Sequence, residues 1–279
     1  MIFTVAHSDF DGLLSTAIIT KKFSNSLNFF SSTYSLKKVL CKIIAFNENL
    51  EKIFILDISP KPTTLKLSSI FEEAIWIDHH ILEIENEFKN VKFFIDSNFK
   101  SCASLVAKIF DFESEWIEIA NKIDSNSCDD ETSKIIRAYS NYLRSKKLLP
   151  LFRILSRKIL DFNPKDFANN VKEIALSYEN EMKEKKRNAK KHIFKIKDFS
   201  VTLFEIEENI PPYILVEGES SDLIVILYKN KMELRSNKLD VEKIARIFNG
   251  GGHKHAAGAI IKGRKDEIIK KLEEVLETL

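Results

Sequence analysis

Ala74-Ile75-Trp76-Ile77-Asp78-His79-His80 decides the fold: a short apolar, β-prone run passes directly into a carboxylate and two imidazoles. Two earlier segments end in the same way. Ile2-Phe3-Thr4-Val5 leads into His7-Ser8-Asp9-Phe10-Asp11-Gly12, and Lys52-Ile53-Phe54-Ile55-Leu56 leads into Asp57. Amphipathic stretches separate these runs, giving the alternation of βαβ units and a parallel sheet. In an open parallel sheet the carboxyl ends of the strands open into one crevice, where such sheets bind ligands. Carboxylates and imidazoles gathered there repel or desolvate one another unless a cation neutralises them. That points to a cluster of hard divalent metals.

Outward from this core, strands are expected at 2–5, 28–33, 52–57, 74–77 and near 92–96, with helices at 12–23, 35–46, 63–71 and 101–110. Residues 113–148 read as helical, interrupted around Asp124 to Asp130. These make a domain over 1–150. Pro150 and Asn163-Pro164 punctuate the middle, and Phe167, Val171, Ile174, Ala175, Tyr178 and Met182 recur at helical spacing. That helix runs into Lys183, Lys185, Lys186, Arg187, Lys190 and Lys191, so 151–191 is expected to be a helical linker. Strands at 192–206, 223–229, 231–236 and 256–261, with helices at 240–248 and 266–279, form an α+β unit over 192–279. The fold class is therefore α/β with a smaller α+β second domain.

With 279 residues, 44% of them hydrophobic and 30% charged, the chain suits two globular domains of ordinary size. No apolar run approaches the ~20 residues that span a bilayer, so no membrane partner is expected. The opening residues lack a basic flank and read as the first strand, not a signal peptide. Cys41, Cys102 and Cys128 are scattered without CxxC spacing, which suits a reducing cytoplasm and argues against structural zinc. A net charge of +2 is no strongly basic coat, so any polyanion must be held by local patches. The basic run 183–191 reads as a solvated helix end or, more sharply, a rim that guides a nucleic-acid tail.

Two further segments complete a pattern. Asn121-Lys122-Ile123-Asp124-Ser125 closes a helical stretch with a carboxylate, and Gly250-Gly251-Gly252-His253-Lys254-His255-Ala256-Ala257-Gly258 is rich in glycine. Alone, Asp57 reads as a turn residue and Asp124 as a helix-end residue. Together and in this order, the motifs resemble the DHH phosphoesterase superfamily with its C-terminal DHH-associated domain. That superfamily includes RecJ-type exonucleases, NrnA-type nanoRNases, cyclic-dinucleotide phosphodiesterases and exopolyphosphatases.

The resemblance implies a two-metal phosphoesterase. His7, Asp9, Asp11, Asp57, His79 and Asp124 are its implied metal ligands, with Asp57 bridging two ions. Asp9 would join one ion; Asp11, His79 and Asp124 would join the other. His80 would act beside Asp57 in catalysis, facing a metal ligand or a phosphate oxygen. The first motif is His7-x-Asp9-x-Asp11, where many members have His-x-x-x-Asp-x-Asp. Imidazole mixed with carboxylate shifts preference from magnesium towards manganese, so Mn2+ is expected, with Co2+ or Mg2+ as substitutes.

In the second domain, Arg235 and Ser236 resemble the family's phosphate grip, and a planar guanidinium suits phosphate oxygens. Gly250, Gly251, Gly252 and Gly258 allow backbone N–H groups to face an anion, with His253 beside it. Ser101 and Ser104 read as helix N-caps. The implied reaction is hydrolysis of short oligonucleotides or single-stranded RNA or DNA ends to nucleotide monophosphates. The alternatives are a hydrolase of a cyclic dinucleotide, adenosine bisphosphate or polyphosphate, and a nuclease-derived replication scaffold. A homodimer and replication or repair partners are compatible with each.

Overall fold

The computed structural model describes residues 1–81, 88–261 and 265–278. Its chain divides into two compact units, Met1–Tyr178 and Glu179–Leu279.

The first unit is built on strands β1 (Ile2–His7), β2 (Leu27–Ser31), β3 (Lys52–Leu56), β4 (Glu73–Asp78) and β5 (Val91–Ile95), in the order β2-β1-β3-β4-β5. All neighbours are parallel. The chain leaves β1 to one side for β2 and returns to the other for β3, so the order reverses between β1 and β3. Ligands of open α/β sheets bind at the carboxyl edge of such a switch point. Ala6 pairs with Leu56, and Leu56 with Ile77, so the residues following these strands emerge level with one another.

Strand alternation divides the core into two layers. Phe3, Val5, Ile53, Ile55 and Trp76 pack with Leu36, Leu40 and Ile43 of α2 (Leu36–Phe46) and Leu65 of α3 (Pro62–Ser68). Ala6, Phe54, Leu56 and Ile77 face the other way, against α1 (Phe10–Lys22), α4 (Cys102–Phe110) and α5 (Glu115–Asp124). Helices α6 (Glu131–Ser145) and α7 (Leu149–Lys158) complete this layer.

Pro150 opens a helix instead of marking a break: it lies in the first turn of α7, where a missing N–H costs nothing. Pro164 likewise begins α8 (Pro164–Arg187). Phe152, Ile159, Phe167, Ala168, Val171 and Ala175 all belong to the first core, so the boundary between units falls inside α8.

The second unit has a sheet of order β10-β11-β9-β8-β7-β6, formed by β6 (Lys190–Ile196), β7 (Phe199–Glu205), β8 (Leu223–Tyr228), β9 (Lys231–Arg235), β10 (Gly251–His253) and β11 (Ala256–Ile260). Only β7 and β8 are parallel. Val201, Leu203, Val225, Met232 and Leu234 of one face pack with Val241 and Ile244 of α10 (Val241–Ile247) and Ile268 and Leu272 of α11 (Lys265–Thr278). A short helix, α9 (Pro212–Val216), was not expected from the sequence.

The expected strand over 192–206 is a hairpin that starts earlier, and Lys197 adopts the left-handed conformation at its turn. Lys190 and Lys191 are therefore strand residues. Much of the basic run is paired: Lys183 with Glu217, Lys185 with Glu181 and Glu208, and Lys186 and Lys191 with Glu219. These pairs neutralise most of the charge that the rim reading relied on.

Candidate metal centre

The three strand ends deliver His7 from β1, Asp57 from the turn after β3, and Asp78, His79 and His80 from the end of β4. Asp9 caps α1, its Oδ1 accepting from the Gly12 N–H at 3.0 Å while Oδ2 meets Nδ1 of His7. Gly12 is required by close approach, since a Cβ there would lie 2.1 Å from the carbonyl oxygen of His7. Asp57 has φ of 56°, a left-handed conformation that an aspartate adopts at some cost. The Asp57 N–H donates to the Ile77 carbonyl at 3.0 Å, which holds that turn against β4.

Two of the groups that could hold a cation are built from the expected ligands. His7, Asp9 and Asp57 can each place one donor atom within 4.8 Å of the others, and so can Asp11, His79 and Asp124. Asp57 reaches both groups. Its Oδ2 is 3.5 Å from Nδ1 of His7, and its Oδ1 is 3.7 Å from Nε2 of His79. Nε2 of His79 is also 3.3 Å from Asp124 and 3.8 Å from Asp11. All six residues expected as ligands are thus brought together, although they lie in four separate segments of the chain.

Elements outside the motifs hold this arrangement. Nδ1 of His79 lies 3.2 Å from the Phe99 carbonyl, which can only accept, so that nitrogen carries the proton and Nε2 is the ligand-capable atom. Both Asp11 oxygens accept from the first turn of α4, from Cys102 N–H and Ala103 N–H at 2.7 Å each. Ser101 caps α4, and its hydroxyl donates to Asn121 of α5 at 2.7 Å, one turn before Asp124. Asp78 is buried, and its Oδ1 accepts from the His80 backbone N–H at 3.0 Å and from Nδ1 at 2.6 Å. The sequence reading gives Asp78 no role of its own; the imidazole two residues on was the available signal.

The electrostatics suit a cation. Burial pushes the Asp11 and Asp57 carboxyls well above the usual range, and neighbouring aspartate charges add to it. Asp124 is raised to about 7 by burial and then by the charge of Asp9. Burial opposes the charge of His80, yet its hydrogen bond to Asp78 and the surrounding carboxylates hold it up at about 10. Burial and the charge of His80 push His79 down, favouring its neutral, metal-ligating form. Oδ1 of Asp57 is buried with no hydrogen-bond partner among the described residues. Nδ1 of His80 lies 3.7 Å from it, too far for a hydrogen bond, and such an oxygen is costly unless a cation meets it more closely. The donor set could hold a divalent cation.

In the second unit, Arg235 ends β9 with Nη2 donating to Glu233 at 2.9 Å. Ser236 is buried and committed to a turn: its hydroxyl donates to the Asp222 carbonyl at 2.5 Å and accepts from the N–H groups of Lys238 and Leu239. Gly251, Gly252 and His253 form β10, paired with Gly258, Ala257 and Ala256 of β11, a strand not among those expected. Gly252 has φ of 144°, and a Cβ there would meet the Ala256 carbonyl oxygen at 2.6 Å. His253 is exposed.

Residues 213–278 match the DHHA1 domain model. No curated protein sequence matches the chain. Among solved structures, a pGpG-specific phosphodiesterase from Vibrio cholerae is 14% identical with a TM-score of 0.56, covering 100% of this chain and 99% of its own. A DHH domain from a member of a ribosomal-protein family is 14% identical at a TM-score of 0.64, covering 99% and 86%. RecJ from Thermus thermophilus in complex with Mn2+ is 12% identical at 0.61, covering 100% of this chain and 52% of that one. The chain shares the fold of a solved DHH domain, and its residues 213–278 match the DHHA1 domain. The DHHA1 match contains Arg235, Ser236 and the glycine run. The clustered carboxylates and imidazoles lie in the first unit.

Proposed function

We propose that this chain is a divalent-metal phosphodiesterase hydrolysing short oligonucleotides or single-stranded nucleic-acid ends to nucleotide monophosphates, with manganese as its preferred ion. The observation that carries the reading is Asp57: a buried carboxylate with one oxygen 3.5 Å from His7 and the other 3.7 Å from His79. A carboxylate so placed between two ligand groups suits a pair of ions. Divalent ions there supply charge that stabilises a phosphoryl transition state and acidify water.

The chain's own residues do the positioning. The Phe99 carbonyl fixes the His79 ring, the first turn of α4 fixes Asp11, and Asp78 holds His80 through Nδ1. His80 then serves as a cationic donor to a phosphate oxygen, a charge-assisted contact stronger than a neutral one. In the second unit, the Arg235 guanidinium would take a further phosphate. The end-to-end likeness to a pGpG-specific phosphodiesterase supports a short oligonucleotide over a long strand.

The test is digestion of end-labelled RNA and DNA from dinucleotide to 20-mer, and of polyphosphate, with Mn2+, Mg2+, Ca2+ or EDTA. We expect release of mononucleotides, fastest on short strands, best in Mn2+ and absent in EDTA. Full turnover in EDTA, or turnover of polyphosphate alone, would contradict the reading.

A further inference from the structure

We propose that Glu233 is a positioning residue that sets the charge of the anion-binding face of the second unit, matching it to a single phosphodiester and against a polyanion. This deepens the reading of Arg235 as a phosphate grip and rests on it.

Lys231, Glu233 and Arg235 alternate along β9 and so share one face of the sheet. Met232 and Leu234, between them, are fully buried in the core on the other face. Across the sheet Glu233 pairs with Gly258, and Gly258 with Gly251, so a track without side chains lies beside the carboxylate. The track is open at its Gly251 end, where an added Cβ meets nothing within 4 Å, while at Gly258 an added Cβ would lie 2.9 Å from the Met232 carbonyl oxygen and 3.5 Å from Cγ of Glu233.

Glu233 is only 8% exposed, and a buried carboxylate must be paired. One oxygen accepts from Lys231 Nζ and the other from Arg235 Nη2 at 2.9 Å. Nη1 of Arg235 donates to the Leu234 carbonyl at 2.9 Å. A guanidinium has five N–H donors, so these bonds orient the fork and leave others for a ligand. Arg235 itself keeps 25% of its side chain exposed.

The row of two cations around one carboxylate carries a single net positive charge. One phosphodiester balances it. A chain of phosphates would bring further negative charge against Glu233, and like charges set together in an interface are strongly disfavoured. Removing the carboxylate therefore both raises the net charge and frees the fork.

The test compares binding of the dinucleoside monophosphate ApA and of inorganic tripolyphosphate to the full chain, in EDTA so that metal chelation does not enter. In Glu233→Gln, affinity for tripolyphosphate relative to ApA should rise about tenfold. Adding Lys231→Gln to that variant should return the ratio to its original value, which a merely structural role for Glu233 would not produce. Lys231→Gln alone, at a half-exposed residue that tolerates change, should move the ratio the opposite way. A ratio unmoved by Glu233→Gln, or by Lys231→Gln should the first variant not fold, overturns the proposal. Arg235→Ala separates the two levels. If it weakens ApA while the ratio stays fixed in the other variants, only the role of Glu233 fails; if it weakens neither ligand, the grip itself fails.

Discussion

At the scale of single residues, Asp57 carries the most weight because it stands between both ligand groups. We predict that Asp57→Ala loses at least one ion and about 10³-fold or more in rate, comparable to losing a major electrostatic stabiliser. Metal analysis and single-turnover rates on a dinucleotide check both parts; an undiminished metal content would remove Asp57 from the bridge. His79 and His80 are adjacent yet built differently. His79 aims Nε2 at three aspartates, whereas the Nδ1 of His80 is held by Asp78. His79→Ala should therefore lose metal, and His80→Ala should keep it while losing rate. The reverse pattern would exchange their roles.

At the scale of elements, the site is held by two helix starts. Gly12 lets α1 begin against the His7 carbonyl, and its replacement by alanine forces overlap with backbone at 2.1 Å. We expect Gly12→Ala to cost about 3 kcal/mol of stability and to displace Asp9 and Asp11; denaturant melts of wild type and variant read this directly. Ser101→Ala should cost about 1 kcal/mol as a lost cap. It should also weaken metal binding, because the same hydroxyl ties α4 to α5 beside Asp124. A stability loss with unchanged metal affinity would reduce Ser101 to a cap alone.

This scale also separates what the sequence disclosed from what it withheld. The β-prone runs ending at Val5, Leu56 and Ile77 made the parallel sheet and its crevice legible, because strand ends in such sheets share one edge. Asp57 and Asp124 became legible only through their order relative to the other motifs. The supports were hidden because they are backbone atoms: the Phe99 carbonyl and the Cys102 and Ala103 N–H groups leave no trace in side-chain pattern. Gly251–His253 was hidden for another reason. Glycine weakens strand propensity, and only pairing with β11 makes that segment a strand.

At the scale of the whole molecule, the clustered charges couple metal binding to stability. Asp124 is raised from 3.8 to about 7, and Asp11 and Asp57 move in the same direction. A carboxyl raised on folding favours the fold when protonated, so its contribution is complete below pH 4 and lost as pH rises through about 7. His80, raised from 6.5 to about 10, has the same sign over a higher window. Asp9 and Asp78, which are lowered, matter only in acid. Metal-free protein should therefore melt at a lower temperature at pH 8 than at pH 5. Saturating Mg2+ or Mn2+ should shrink or invert that difference, since ions bind the deprotonated carboxylates. A metal-free melting temperature that climbs from pH 5 to pH 8 would contradict the assignment of buried, raised carboxyls.

The most direct test of the central claim is calorimetric titration of metal-free protein with Mn2+ near neutral pH, for wild type and Asp57→Asn. We predict two ions bound per chain in wild type and no more than one in the variant, whose amide cannot bridge as a carboxylate does. Absence of Mn2+ binding by the wild type, or two ions bound equally well by both proteins, would contradict a metal centre built around Asp57.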